Sequence, residues 1–384
     1  MLADLMRIAM MTDSWYPTRD GVVAGVTILK ESLEALGHEV FIIAPEPEPE
    51  YRQEGVYYFP AVRFKSYDEY YVPIYPSNKI EILKEIDPDV IHIHGVATMA
   101  LRGLICGHTL GLPTVMTFHT MVDDAAKYYS PIKLPPEVLD RLIWIYLRQV
   151  AKRVDVVVTP TECIGEELRA RGVHAKNMMA IPTGAKTDVF HPGIPSEDIR
   201  ERYGLVGKKV IIHVGRISYE KELDMVIRSM ADMDAVLLVA GKGPAKADME
   251  KLVDELGLQD RVIFAGFVPD DELPRFYNAA DIAVSASKFE TQGLTILEAM
   301  ASGKTVACRN GRAFTEIIHE GVNGYLFDDE SGCAEAMRRA LSAPEEVREA
   351  SYRTALENSR QRSVEKYLQA YELAIKTKKG KDGR

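Results

Sequence analysis

Ser285-Ala-Ser-Lys-Phe-Glu-Thr-Gln-Gly-Leu-Thr-Ile-Leu-Glu-Ala-Met-Ala-Ser-Gly303 is the stretch on which the reading of this chain turns. It is entered from Ile282 to Ser285, an apolar run of the length of a buried strand. Gly293 permits a tight backbone turn, Leu294 to Ser302 is helix-forming, and Gly303 stands where a helix stops. The pattern predicts a strand, a polar loop and a helix that starts near Gly293. Unpaired amides at such a start, with the positive end of the helix dipole, suit a diphosphate. Two carboxylates flank them. Glu290, in the loop, is placed to accept hydrogen bonds from sugar hydroxyls, and Glu298, about one turn into the helix, to bind a ribose diol.

Two acids beside a phosphate repel it unless cations intervene, so this reading requires basic residues from elsewhere. Arg216 and Lys221 supply them in His213-Val-Gly-Arg-Ile-Ser-Tyr-Glu-Lys221, directly after an apolar run from Lys209 to Val214. Further strands are predicted at 235–240, 261–264, 305–308 and 325–327, with helices between them. Ligands of such parallel sheets collect beyond the carboxyl ends of the strands, where Arg216, Gly241, Phe267 and Glu290 all fall. Gly243 and Val268 lie beside them.

The first half has the same rhythm, with strands predicted at 7–11, 40–44, 90–94, 113–118, 155–159 and 178–181. Thr183 to Pro192 reads as the linker. The fold class is therefore α/β, with two doubly wound, Rossmann-like domains. Their expected extents are 1–185 and 186–355, then a helix over 356–376 and a disordered basic tail over 377–384. The first turn carries Asp20-Gly21 in place of a full Gly-x-Gly-x-x-Gly fingerprint, which weakens a dehydrogenase reading. His92 and His94 share one face of a strand but have no evident third ligand, and Asp87/Asp89 and Asp232/Asp234 sit in turns. No bound cofactor and no essential divalent metal are expected.

The chain has 384 residues, a formal net charge of −10 and a pI near 5.5. That balance argues against a general nucleic-acid binder, whose phosphate contacts need a basic surface. Cys106, Cys163, Cys308 and Cys333 are dispersed and read as free thiols of a reducing compartment. With no signal-like start and no apolar run of about 18 residues, the expected location is cytoplasmic, with at most peripheral membrane contact. The helix predicted from Glu137 to Arg153 places Arg141, Arg148 and Lys152 on one stripe, a candidate contact with anionic lipid.

The Glu290 to Glu298 spacing, followed by Ala-Met-Ala-Ser-Gly, resembles the signature of retaining GT-B glycosyltransferases of family 4. More narrowly, Glu290-Thr-Gln-Gly-Leu-Thr295 and Phe118-His-Thr-Met121 resemble the monoglucosyldiacylglycerol synthase group of that family. The resemblance implies two Rossmann-like domains facing a central cleft, a last helix crossing back to the first domain, and transfer of a hexose from an NDP-sugar of the UDP-glucose or GDP-mannose type. It implies that Arg216 and Lys221 stabilise the leaving diphosphate, that amides at Gly293, Leu294 and Thr295 assist, and that His119 contacts the sugar or the acceptor. Gly21 occupies the place where a glycine lets backbone approach the donor phosphates, and the resemblance implies likewise that Gly241 and Gly243 bring backbone close to the nucleotide and that Phe267 and Val268 pack against or hydrogen-bond its base. Tyr70, Asp123 and Asp124 are the acceptor candidates, and the acceptor is expected to be a glycerolipid. The rival expectations are a soluble member acting on a sugar, inositol derivative or small alcohol, and a non-catalytic nucleotide-sugar sensor.

Overall fold

The computed structural model describes residues 5–63, 70–73, 80–119 and 135–382. The chain divides into two compact units, Met1–Thr183 with Arg360–Arg384, and Gly184–Ser359. In the first, β1 (Arg7–Thr12), β2 (Glu39–Pro45) and β3 (Val56–Phe59) join β6 (Val90–His94), β7 (Thr114–Thr117), β8 (Val156–Thr159) and β9 (Met178–Ala180). The order is β3-β2-β1-β6-β7-β8-β9, and neighbouring strands run parallel. Helices cover both faces, so strands such as β6 and β8 are buried along their length; β8 reads as an apolar run, while β6 buries two histidines among its aliphatic residues.

The second unit repeats the plan with β10 (Val210–Val214), β11 (Val236–Ala240), β12 (Val262–Gly266), β13 (Ile282–Ser285), β14 (Thr305–Arg309) and β15 (Tyr325–Phe327). Its order is β12-β11-β10-β13-β14-β15. In each sheet the strand order reverses once, between β1 and β6 and between β10 and β13. Crevices open at such reversals beyond the strand ends.

Three features depart from the sequence reading. Between β3 and β6 lie a hairpin of β4 (Ala61–Arg63) and β5 (Tyr71–Pro73) and a helix at Ile80–Ile86. Three-residue strands contain too few alternations to register as a period. The first helix, whose 3.6-residue period reads from about Val26 to Leu36, instead runs Gly21–Ala35, because Asp20 caps it, accepting from the amides of Val22 and Val23 at 2.9 Å each.

The last helix runs Arg360–Asp382, so the tail expected to be disordered from 377 is helical through Asp382. Thr377 donates to Leu373 O at 2.7 Å and accepts from Asn177 at 3.1 Å, while Lys378 reaches Gly107 O at 3.4 Å. Lysines at a helix C-terminus also favour its dipole. This helix packs on the helix Gly21–Ala35 and on β6, β7 and β8, and buries Tyr367, Tyr371 and Ala374 in the first unit's core.

Candidate active site

In the second unit the crevice at the strand reversal is built by two loops. After β10 come Gly215, Arg216 and a short helical turn Tyr219–Lys221, and after β13 comes the loop that ends at Gly293. Pairing of Ile211 with Ile282 and Ile212 with Ala283 brings these loops side by side. Lys221 Nζ is ion-paired with Glu290 Oε1 across them. Burial pushes the Glu290 carboxyl up, but the Lys221 ammonium outweighs it and holds the group below the usual range.

Gly293 has φ 75° and ψ 49° and precedes the helix Leu294–Ala301, whose first amides receive no side-chain cap. A Cβ at Gly293 would also lie 2.5 Å from Phe314 Cε1, so both backbone conformation and space require glycine. Glu298 projects from this helix beside Tyr277. The Tyr277 hydroxyl lies 2.8 Å from Thr295 O and 3.1 Å from Glu298 Oε2. The single hydrogen of that hydroxyl is shared between the two acceptors, the Thr295 carbonyl and the Glu298 carboxyl. Burial pushes the Glu298 carboxyl up to about 8, against the lowering effect of the Tyr277 hydrogen bond, with Asp270 adding to the rise and Lys186 opposing it.

The repulsion anticipated between two acids and a diphosphate is thus removed locally. Glu290 is neutralised by Lys221, and Glu298 is uncharged near neutral pH. Arg216 adds positive charge at the same strand end.

The loop after β11 packs backbone to backbone on the loop after β10. A Cβ at Gly241 would lie 1.8 Å from Gly215 O, and one at Gly243 would lie 2.2 Å from Ile217 O. These two glycines therefore answer first to the neighbouring loop. Phe267 is half exposed under the Lys242 ammonium, 5.6 Å from its ring centroid, whereas Val268 is buried.

In the first unit the two corresponding helix starts hold internal carboxylates. Asp13, at the end of β1, accepts from the amides of Ala97 and Met99 at 2.9 and 2.8 Å and so covers the start of the helix Thr98–Leu110. Asp20 holds the amides behind Gly21, and Ser14 donates to it at 2.9 Å. Tyr70 lies in this cluster, hydrogen-bonded to Ser14, its hydroxyl pushed up by burial and by Asp20 and Asp13. An anion at either helix must displace a built-in one, whereas the start of the helix Leu294–Ala301 holds none. His119 sits in the first unit, with its Cε1 3.0 Å from the point where a Cβ on Gly25 would stand. Asp123 and Asp124 lie outside the described residues.

Sequence reasoning missed Tyr277 and His213. Tyr277 sits in an apolar helix and reads as core. His213 ends an apolar strand, donates from Nδ1 to Val284 O at 3.3 Å, and is pushed down to about 4, chiefly by burial, beside the Lys221–Glu290 pair. His92 and His94 are hydrogen-bonded to side chains, and among the described residues no group of three or more His, Cys, Asp or Glu is placed to hold a metal ion.

Comparison with known sequences decides the family. The sequence model of the Glycosyl transferases group 1 matches residues 195–357, and that of Glycosyltransferase Family 4 matches residues 19–189. The alpha-monoglucosyldiacylglycerol synthase of Streptococcus pneumoniae is 32% identical over 384 aligned residues, which cover 95% of this chain and 86% of the relative. The chain belongs to glycosyltransferase family 4. A second synthase of that name, from Acholeplasma laidlawii, is 28% identical over 84% of this chain and 85% of its own. Among solved structures, a glycosyltransferase from Rickettsia africae superposes with a TM-score of 0.75 at 19% identity, over 97% of this chain and 99% of that one. Anabaena HepE, solved with UDP and glucose, gives 0.76 at 16% identity, over 96% and 99%. This family 4 enzyme is a hexosyltransferase with the GT-B fold.

Proposed function

We propose that this glycosyltransferase transfers a hexose from a UDP- or GDP-sugar, with retention, to the hydroxyl of a glycerolipid at a membrane surface. The observation that carries the reading is the 32% identity, along nearly the whole chain, to an enzyme whose name gives diacylglycerol as the acceptor core. In this reading the bond between the sugar C1 and the β-phosphate oxygen breaks, and a bond from C1 to the acceptor oxygen forms on the same face. The acceptor proton passes to the departing phosphate oxygen. Lys221 and Arg216 stabilise the charge that develops on that diphosphate, aided by the amides of Leu294 and Thr295. Glu290 exchanges part of its bond with Lys221 for sugar hydroxyls, and Glu298 receives the ribose diol. His119 contacts the sugar or the acceptor.

The first unit supports a membrane-facing role. On the helix Pro136–Ala151, Val138, Leu142 and Ile145 are 44%, 50% and 44% exposed, an unusual outward ridge of aliphatic side chains on one helix face. Leu101 and Ile105 are similarly exposed on the helix Thr98–Leu110. Arg141 is exposed beside the ridge and Lys152 just beyond it, while Arg148 is engaged with Arg171 O at 2.9 Å. The contact is peripheral in this reading, and among the described residues no helix is long and apolar enough to cross a membrane.

The deciding assay follows release of nucleoside diphosphate from a panel of UDP- and GDP-sugars, with and without vesicles of anionic phospholipid and diacylglycerol. Release that depends on diacylglycerol, with the glycolipid recovered, is expected. Release with soluble alcohols or sugars alone would move the function to the soluble branch of the family, and tight donor binding with no transfer would make the protein a sensor.

A further inference from the structure

The turn that carries Lys221 ends in Glu222, whose backbone has φ 46° and ψ 41°, in the left-handed region that residues other than glycine rarely occupy. Glu222 also precedes the helix Leu223–Ser229, a place favoured by Ser, Thr, Asp, Asn and Gly, and its carboxylate caps none of that helix's first amides. On both counts a glycine or an asparagine would suit the local backbone better. Strain of this kind persists where the surrounding structure holds the residue in place.

The Glu222 carboxylate bridges two cations. Its Oε1 lies 3.0 Å from Lys288 Nζ, in the loop after β13, and its Oε2 accepts from Arg309 Nη1 at 3.4 Å, at the end of β14. The Arg309 side chain is 11% exposed and that of Glu222 22%, so this half of the bridge is little screened by water, whereas the Lys288 side chain is 48% exposed. The half-exposed pair would hold little alone, but a carboxylate already immobilised by Arg309 loses less freedom on meeting Lys288. Two consecutive residues of one loop, Lys221 and Glu222, thus pair with Glu290 and Lys288 of the other, with the signs crossed. The two links are not equivalent. In the proposed function Glu290 gives up part of its bond with Lys221 to the sugar, which leaves the bridge through Glu222 to keep the loops in register. The other end of the turn is fastened by backbone, Ile217 donating to Lys242 O at 3.1 Å and accepting from the Ala245 amide at 3.0 Å.

We infer that Glu222 is a positioning residue: by bridging Lys288 and Arg309 it fixes the turn that carries Lys221 against the loop that carries Glu290, so that Lys221 stays on the departing diphosphate while Glu290 turns to the sugar. The inference rests on the roles proposed for Lys221 and Glu290. It assigns Glu222 no contact with donor or acceptor, and it accounts for a glutamate at a position whose backbone favours glycine.

The test uses the full chain with Glu222→Gly, which removes the bridge and eases the backbone, and with Glu222→Gln, which keeps the length of the side chain and an accepting oxygen. Amide hydrogen exchange followed by mass spectrometry reads the segment 285–293, which contains neither substitution. Exchange there should be about threefold faster or more in Glu222→Gly, with Glu222→Gln between it and the wild type. Exchange equal to that of the wild type in both variants overturns the bridge whatever the enzyme's substrate proves to be. In kinetics with the donor that the panel of sugars identifies, Glu222→Gly should lower kcat by about tenfold or more while donor KM changes little. In a Lys221→Ala background the same substitution should change kcat by no more than about twofold, because it acts through Lys221. Equal kcat in Glu222→Gly and the wild type, or a full further loss on top of that of Lys221→Ala, refutes the positioning role. Absence of transfer by the wild type refutes the functional proposal alone, and hydrogen exchange still decides whether the bridge holds the loops.

Discussion

Replacing Glu298 with glutamine should stabilise the second unit, and should do so more strongly the higher the pH. A glutamate ionises at 4.5 in the unfolded chain and, held in this site, only at about 8. Between those values the folded state carries a proton that the unfolded state has released, so the wild type loses stability as pH rises, by about 1.4 kcal/mol per pH unit. The loss is complete above pH 8, where it reaches an upper bound of about 5 kcal/mol, reduced by whatever water reaches the carboxyl. Glutamine imitates the protonated acid, because it is neutral, nearly the same shape, keeps an oxygen that can accept from the Tyr277 hydroxyl, and does not titrate. The advantage of Glu298→Gln should therefore grow by up to about 3 kcal/mol between pH 5.5 and 8.5. For a unit spanning residues 184–359, each kcal/mol moves Tm by about 2–4 °C. Thermal melts of both proteins across this range give the answer. A difference that does not change with pH, or a wild type favoured at pH 8.5, would refute the protonated Glu298.

Arg216→Ala and Lys221→Ala should each lower transfer by orders of magnitude with the fold intact, and near-normal turnover in both would remove them from the diphosphate site. In Lys221→Ala, Glu290 also loses the cation that offsets its burial, so its pKa should rise, which a pH titration of donor binding detects. His92, His94 and His119 are all held neutral by burial, each with a folded pKa below the usual 6.5. The unfolded chain therefore binds more protons below that value, and the first unit should lose up to about 1.4 kcal/mol per histidine per pH unit as pH falls from 6.5 towards 4. A urea midpoint equal at pH 7 and pH 5 would contradict this. Replacing Arg141 and Lys152 with glutamate and Leu142 with serine should weaken sedimentation with anionic vesicles while donor hydrolysis in solution persists, and unchanged sedimentation would exclude this helix as the membrane contact.

Much of the second unit was legible without coordinates. Its strands are buried on both faces, so they appear as apolar runs separated by turn residues, and the span Ile282–Ser285 is the same in sequence and structure. Gly293 could be placed because a left-handed turn before a helix leaves a clear mark. What was not legible is how charge is distributed among the residues so identified. That Lys221 pairs with Glu290, and that Glu298 keeps a proton, depend on neighbours from other elements, one of which, Tyr277, looks like ordinary core.

The first unit shows the same division. The alternation of strands and helices was readable, whereas Asp13 and Asp20 as caps of the two helices, and the seating of Tyr371 on His92, were not. These contacts join residues up to 279 positions apart, and no local period encodes them. The sequence alone determined two doubly wound units and which residues stand at the strand ends of the second, because periodicity and glycine geometry are local properties of the chain. Only the tertiary structure decided which helix start lacks a built-in carboxylate and which acids carry charge, because each depends on burial and on the partner that folding brings into hydrogen-bond range.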